Sequence, residues 1–433
     1  MKTAGIAPFI ATMILIFMGT ACAPATATPE TQLELAESTA STPTRPPART
    51  AFPTEEILRG TVTIRHSWDE SQVPVLAQII KRFQAYHPDV MFDVLYVPAE
   101  TLYERYEADT SEGLGPTLLF GPAEWGIELY KSGLTADLTG LIDASLLKSI
   151  NQPALGAARA EKALVGVPYA MQGTALFRNK DVVTIEAETF DELIALAQTS
   201  TQGSTVGAYL ERSFFYSGGH LNGLGGQLID ENHLPGFNNG KGVAWLELLK
   251  EFELAGPTNY FSDDDLERFK LGQIGWIIDG TWNIRTLADT LGAAKLAIDP
   301  WPTYKDGRLS GYVTAENVYL CAKAQEGDRR AALKFIEFML MPEAQTRIAE
   351  SGRIPVSSRI NPIDPVYGGL VVQAVQALAG GTTYPIGAEM NAYNLSLDMA
   401  LRAYFDQDLP AEQVLQNAQD AVMAELAKTA PAP

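Results

Sequence analysis

Basic residues, cysteines and long apolar runs are all scarce in this 433-residue chain, and each scarcity closes a class of function. Only 32 Lys and Arg stand against 52 Asp and Glu, a formal charge of −20, and no basic stripe interrupts the excess. Such a surface repels a phosphate backbone, so nucleic acid is not an expected partner. The two cysteines, Cys22 and Cys321, cannot build a disulfide framework, and a bridge from so near the N-terminus would have little to stabilise. The four histidines, His66, His87, His220 and His233, show no metal-ligand spacing, so zinc is not expected, and no cofactor is expected either. What remains is 46% hydrophobic, with 36 Gly and 26 Pro. That is too apolar for disorder and too long for one compact core, so two lobes are the default expectation.

An address comes first. Lys2, an apolar run from Ile6 to Met18, and the small residues Gly19, Thr20 and Ala21 precede Cys22, which reads as a secretory signal with a processing site. The run contains Pro8 and is shorter than the roughly 20 residues a bilayer-spanning helix requires. A Cys at the cleavage point resembles the lipobox of bacterial lipoproteins, with Gly19 where Leu is usual, so Cys22 is the expected lipidation site. Residues 23–58 are rich in Ala, Thr and Pro and cannot bury a core, so they read as a disordered tether holding a folded body off a membrane.

From Gly60 the texture becomes alternating strands and amphipathic helices. Thr61–His66 reads as a strand, Val75, Ile79, Ile80 and Phe83 share a helical face, and Val90–Val97 reads as the next strand. This β-α-β start predicts an α/β fold with a mostly parallel, doubly wound sheet and ligands at the carboxyl ends of its strands. Gly218-Gly219 and Gly225-Gly226 lack a following Gly-Lys-Ser/Thr and read as tight turns; Asp263-Asp264-Asp265 reads as a helix N-terminus.

Several short stretches recur in a telling order: Phe83-Gln84-Ala85-Tyr86-His87-Pro88, Tyr130-Lys131-Ser132-Gly133-Leu134, Gly166-Val167-Pro168-Tyr169, Arg178-Asn179-Lys180-Asp181, Phe269-Lys270-Leu271-Gly272-Gln273 and Asp279-Gly280-Thr281-Trp282. Together they resemble the extracellular solute-binding proteins of the maltose-binding class, lipoprotein components of ABC sugar importers. The resemblance implies a two-lobed periplasmic-binding-protein-like fold, each lobe a doubly wound sheet, joined by a multi-segment hinge. It puts one lobe at 59–167 plus 303–355 and the other at 170–298 plus 360–430, with crossings near Val167–Ala170, Asp299–Pro302 and Ile354–Asn361. It further implies a monomer that captures a carbohydrate between the lobes and delivers it to permease subunits and, through them, a cytoplasmic ATPase.

Sugar rings present apolar C–H faces and a rim of hydroxyls, so their sites need exposed aromatic rings beside carboxylates or amides. By resemblance, Trp282 falls in the loop that carries a stacking aromatic, following Asp279 and Gly280. Glu124 and Trp125 follow a strand end that contacts sugar hydroxyls in relatives. Trp68 and Asp69 follow the first strand, and Gln172 stands where maltose-binding relatives carry a carboxylate. Glu316 precedes a strand in a cleft-facing loop. Tyr393 aligns with a stacking aromatic, a helix-packing Tyr being the alternative. Trp245, Trp276 and Trp301 read as core or structural, and few basic residues near these loops argue against a phosphate ligand. The expectation is a binding module without catalysis. Rival readings are a sugar receptor for a membrane sensor and a secreted glycoside hydrolase using two carboxylates such as Glu124, Asp279 or Glu316.

Overall fold

The computed structural model describes residues 57–70, 72–260, 262–360, 367–387 and 390–429. The signal segment with Cys22 and residues 23–56 of the expected tether lie outside the described residues. Ile57 and Leu58 lead directly into β1 (Gly60–His66), which pairs in parallel with β2 (Val90–Tyr96) and β3 (Leu118–Pro122). The helix Val73–Tyr86 between β1 and β2 buries Leu76, Ile79, Ile80 and Phe83, one apolar face at helical spacing. A small hairpin, β4 (Arg159–Ala160) and β5 (Ala163–Leu164), then precedes the long β6 (Val167–Asn179).

A second group follows: β7 (Val206–Glu211), β8 (Thr258–Asn259), β9 (Ile274–Gly280) and β10 (Leu296–Asp299). A hairpin of β11 (Thr303–Tyr304) and β12 (Gly307–Arg308) leads to β13 (Tyr312–Leu320), and β14 (Ile354–Pro355) and β15 (Thr382–Thr383) are short. The main sheet runs β2-β1-β3-β13-β6-β9-β7-β8.

β6 is what joins the two groups. Its first part, Val167–Gly173, pairs antiparallel with β13, and Thr174–Arg178 pairs antiparallel with β9. In addition Ala170 and Met171 pair with β14, and Leu176–Asn179 with β10. The exchange of partners falls between Gly173 and Thr174, further along the strand than the Val167–Ala170 crossing expected from sequence. The sheet is mixed, not mostly parallel. β2-β1-β3 and β9-β7-β8 are parallel groups, whereas β13 opposes both β3 and β6. The reason is topological: a strand that enters a half-sheet from the junction must run against strands whose carboxyl ends point at that junction.

Both half-sheets are covered on both faces, as a doubly wound architecture requires. Along β6 and β9, Ala175, Phe177 and Ile277 enter one core while Leu176, Trp276 and Ile278 enter another. In the first half-sheet Leu118 and Phe120 face the larger core, and Leu119 faces a smaller one with Leu102, Tyr106 and Tyr319. Trp245, Trp276 and Trp301 are buried, in keeping with their sequence reading. Gly218 and Gly219 do not form a turn. They lie within the helix Phe214–Gly223, where a Cβ on Gly219 would meet the backbone of Ser310, Gly311 and Tyr312, so their small size permits that close approach.

Candidate functional site

The two half-sheets end in the same local device. β3 finishes at Gly121-Pro122 and passes into a single 3-10 turn, Ala123-Glu124-Trp125; β9 finishes at Gly280 and passes into Thr281-Trp282-Asn283. In each case the Trp ring folds back over the glycine. A Cβ would lie 2.5 Å from the Trp125 ring at Gly121 and 2.0 Å from the Trp282 ring at Gly280, so glycine is what lets each indole lie flat. Asp279 is buried beneath the second turn, where Asn283 Nδ2 donates to both carboxylate oxygens at 3.2 Å.

The turn bearing Trp282 sits over the β6 exchange point, because the Gly173 amide donates to Thr281 Oγ1 at 3.1 Å. Gln172 is the one residue of β6 that is not buried. It faces Thr314 in the ladder, and Thr314 Oγ1 donates to Glu124 Oε1 at 2.9 Å. Gln172, Thr314 and Glu124 are thus linked by strand pairing and a hydrogen bond into a polar patch, with the Trp282 turn fastened beside it at Gly173 and Trp125 following Glu124 in the other turn. Trp125 is half-buried and meets Tyr103 edge-on at 5.4 Å, while Trp282 is 45% exposed.

The second half-sheet adds rings that sequence reasoning missed. Phe215 is 42% exposed and lies 6.1 Å from Trp282, 5.2 Å from Tyr216 and 6.2 Å from Tyr384, centroid to centroid. A signal was present: Phe214-Phe215-Tyr216 opens a helix, and three consecutive residues at about 100° intervals cannot all face one core. Phe214 takes the buried position and Phe215 is left outside.

Four sequence-based assignments need correcting. Trp68 is 2% exposed, stacked on Tyr169 at 5.6 Å with its indole N–H donating to the Tyr169 hydroxyl at 2.8 Å. Strand-end position brought it near the site, but its ring fills the space between β3 and β6. Tyr393 is fully buried in a helix-packed core beside Phe237, which is the alternative reading of that residue. Asp279 shapes the Trp282 turn from below and does not reach the surface. Glu316 is half-buried and committed, accepting from Tyr169 and from Arg353, whose other terminal nitrogen donates to Gln72 Oε1 at 2.7 Å. Arg353, which sequence reasoning passed over, also lies 4.6 Å over the Trp68 ring. Asp69 is exposed and accepts from the Gln72 amide at 3.2 Å, opening the turn into the first helix.

Behind the aromatic rings three carboxyl groups are buried near the carboxyl ends of β7, β8 and β9. Burial pushes Glu211 up to about 8 and Asp265 up to about 6, and raises Asp279 in the same direction. Glu211 accepts from the Ser213 amide at 2.7 Å, and Asp265 accepts from Asn259 at 3.1 Å. Tyr216 feels this cluster: burial and the carboxylates of Asp279, Glu211 and Asp265 all raise its phenol. Among the described residues no group of three or more His, Cys, Asp or Glu is arranged to hold a metal ion.

Residues 78–367 match the family model for bacterial extracellular solute-binding proteins. A maltotriose-binding protein of Pyrococcus abyssi is 24% identical over 385 residues, covering 83% of each chain. A galactooligosaccharide-binding protein of Bacillus subtilis is 22% identical, covering 83% of this chain and 88% of its own. A maltooligosaccharide ABC transporter solute-binding lipoprotein of Streptococcus pneumoniae is 21% identical, covering 56% of this chain and 60% of its own. Among solved structures, a cyclo/maltodextrin-binding protein complexed with maltotetraose superimposes with a TM-score of 0.75 at 20% identity, over 87% of this chain and all of the other.

Proposed function

This chain belongs to the bacterial extracellular solute-binding proteins, and on that premise we propose that it captures a carbohydrate between its two half-sheets and delivers it to the permease of an ABC importer. The observation that carries the reading is the pairing of exposed indole and phenyl rings, Trp282 and Phe215, with the polar floor of Gln172, Thr314 and Glu124. Apolar rings match the C–H faces of a pyranose, and the floor supplies donors and acceptors for its hydroxyls. The sugars named for the relatives, maltotriose and galactooligosaccharides, make a short neutral oligosaccharide the first ligand to try.

The reading divides the folded body into lobes at 59–167 with 303–355 and 170–298 with 360–430. The exchange of β6's partners between Gly173 and Thr174 supports it. Ligand bound between lobes contacts both, so binding energy itself favours closure. The role is binding without catalysis, and any sugar captured is returned chemically unchanged.

A thermal-unfolding screen against malto- and galactooligosaccharides tests this. A true ligand at 100 times its dissociation constant stabilises by about 2.7 kcal/mol. If no saccharide in such a panel moves the midpoint, or if product appears after incubation, the assignment fails. The reading also takes Cys22 as a lipid anchor on the outer face of the cytoplasmic membrane. Cys22→Ser is expected to shift the protein from the membrane to the soluble fraction with sugar binding intact; membrane association unchanged by the substitution would sink the anchor.

A further inference from the structure

A second cavity of about 750 Å³ opens beside the aromatic rings. One side is built from Lys131 and the β4–β5 hairpin, the other from Ile229 and His233, and Thr383–Ile386 passes along it. It adjoins the site described above at a single side chain. Tyr384 lines the cavity and also packs against Phe215, the ring that meets Trp282. Tyr384 thus places this cavity next to the Trp282 and Phe215 rings.

The charge there departs from that of the protein as a whole. Lys131, Arg159 and Lys162 all line it, and none of the three is engaged in an ion pair among the described residues. Two carboxylates, Asp137 and Glu161, also line it. Asp137 accepts from the amides of Thr139 at 2.8 Å and Leu164 at 3.3 Å, and hydrogen bonds from the Thr139 side chain and then its amide hold the carboxyl below the usual range, so it stays ionised. Glu161 stands at the hairpin turn with φ of 52°. Three cations with no ion-pair partner therefore face two carboxylates, a local excess of positive charge in a chain whose overall balance is 32 basic to 52 acidic residues. At the other end of the site the charges are reversed, since Glu124 is free of cations and Glu316 is already matched by Arg353.

We propose that this cavity receives the distal end of the bound saccharide and selects for an anionic substituent there, making the ligand an acidic oligosaccharide held by its neutral rings on Trp282 and Phe215 and by its charge on Lys131, Arg159 and Lys162. The inference rests on the carbohydrate reading given above and names the ligand class for that same site. The few basic residues near the sequence-predicted contact loops argued against a phosphate ligand. The fold brings these three in from a helix end and a hairpin that carry none of the predicted contacts.

The test is calorimetric titration of the full chain with maltotetraose and with the same sugar oxidised to a carboxylate at its reducing end. Both are measured at low and high salt, on the native protein and on the variant carrying Lys131→Gln, Arg159→Gln and Lys162→Gln. The acid is expected to bind the native protein at least tenfold more tightly than maltotetraose at low salt. That advantage should shrink at high salt, as exposed charges are screened, and disappear in the variant, whose affinity for maltotetraose stays within twofold of native. Equal affinities for the two sugars on the native protein overturn the inference while leaving the carbohydrate reading standing, as does a preference that survives in the variant. Failure of both sugars to bind overturns the inference together with the reading beneath it.

Discussion

Trp282→Ala is expected to weaken saccharide binding by about two orders of magnitude, as truncation of an aromatic anchor at a binding surface does, while costing the unliganded protein less than about 1 kcal/mol of stability. Both halves of that expectation come from geometry. The ring is 45% exposed, so it contributes little to the core. It lies on Gly280 and against Phe215, so its remaining face is turned outward. Trp68→Ala gives the opposite pattern. Its ring is 2% exposed and wedged against Tyr169 and Phe120, and losing a large buried aromatic costs about 3–5 kcal/mol. Calorimetry and urea denaturation on the two variants separate the roles. If Trp282→Ala unfolds as easily as Trp68→Ala yet binds sugar normally, the aromatic wall has been misassigned.

Glu211 should withdraw stability from the protein as pH rises from about 5 to 8, contrary to the usual behaviour of carboxylates in folded proteins. Below about pH 6.5 it is opposed by buried His220, whose lowered pKa of about 4 adds stability as pH rises. Burial lifts Glu211 from 4.5 to about 8, so the folded state holds this proton more tightly than the unfolded chain does. A contribution of that sign is fully present below pH 4.5 and is lost as pH climbs toward 8. Asp265, lifted from 3.8 to about 6, acts in the same direction over a lower window. At 1.36 kcal/mol per pKa unit, the Glu211 shift corresponds to a few kcal/mol across its window. Glu211→Gln keeps an oxygen to accept from the Ser213 amide but carries no proton to lose, so it should flatten the slope and be more stable than the native chain at pH 8. Urea midpoints at pH 5, 6.5 and 8 decide it. A Gln variant that keeps the native slope between pH 6.5 and 8, or that is no more stable than the native chain at pH 8, contradicts the assignment.

Much of the fold could be read in the sequence because it is written in short-range patterns. The face Val75, Ile79, Ile80 and Phe83 marks the first helix, although Leu76 is the residue buried there and Val75 is only partly so, and Pro342 opens the helix Pro342–Glu350 at its N-terminus, where a missing amide proton costs nothing. The direction of β13 was not legible. It depends on where the chain re-enters the sheet after more than a hundred residues, which no local pattern encodes. The site divides along the same line. Glu124, Trp125, Gln172 and Trp282 follow strand ends or a crossing, and the parallel-sheet rule brings such positions to one mouth. That rule fixes where a residue sits and says nothing of where its side chain turns, which is why Trp68 was misjudged. Tyr393 failed for another reason: on a helix a register error of one residue rotates a side chain by about 100°, enough to move a ring from a cleft to a core. Phe215 and Tyr384 meet only in three dimensions, through contacts between a helix start and a segment far downstream.

β6 carries a mechanical consequence. A strand of thirteen residues that is hydrogen-bonded into both half-sheets can act as a torsion bar between them, its ladders changing hands at the peptide between Gly173 and Thr174. Points on the bar scarcely travel when one half turns against the other, whereas points on its lever arms sweep through an arc. Gln172 rides on the bar and the indole of Trp282 is tethered to it through Thr281 and Gly173, but Phe215 and Lys131 sit on opposite arms. The first sugar ring to arrive would thus find its floor already in place, and the length of the chain behind it would be gauged only as the arms come round.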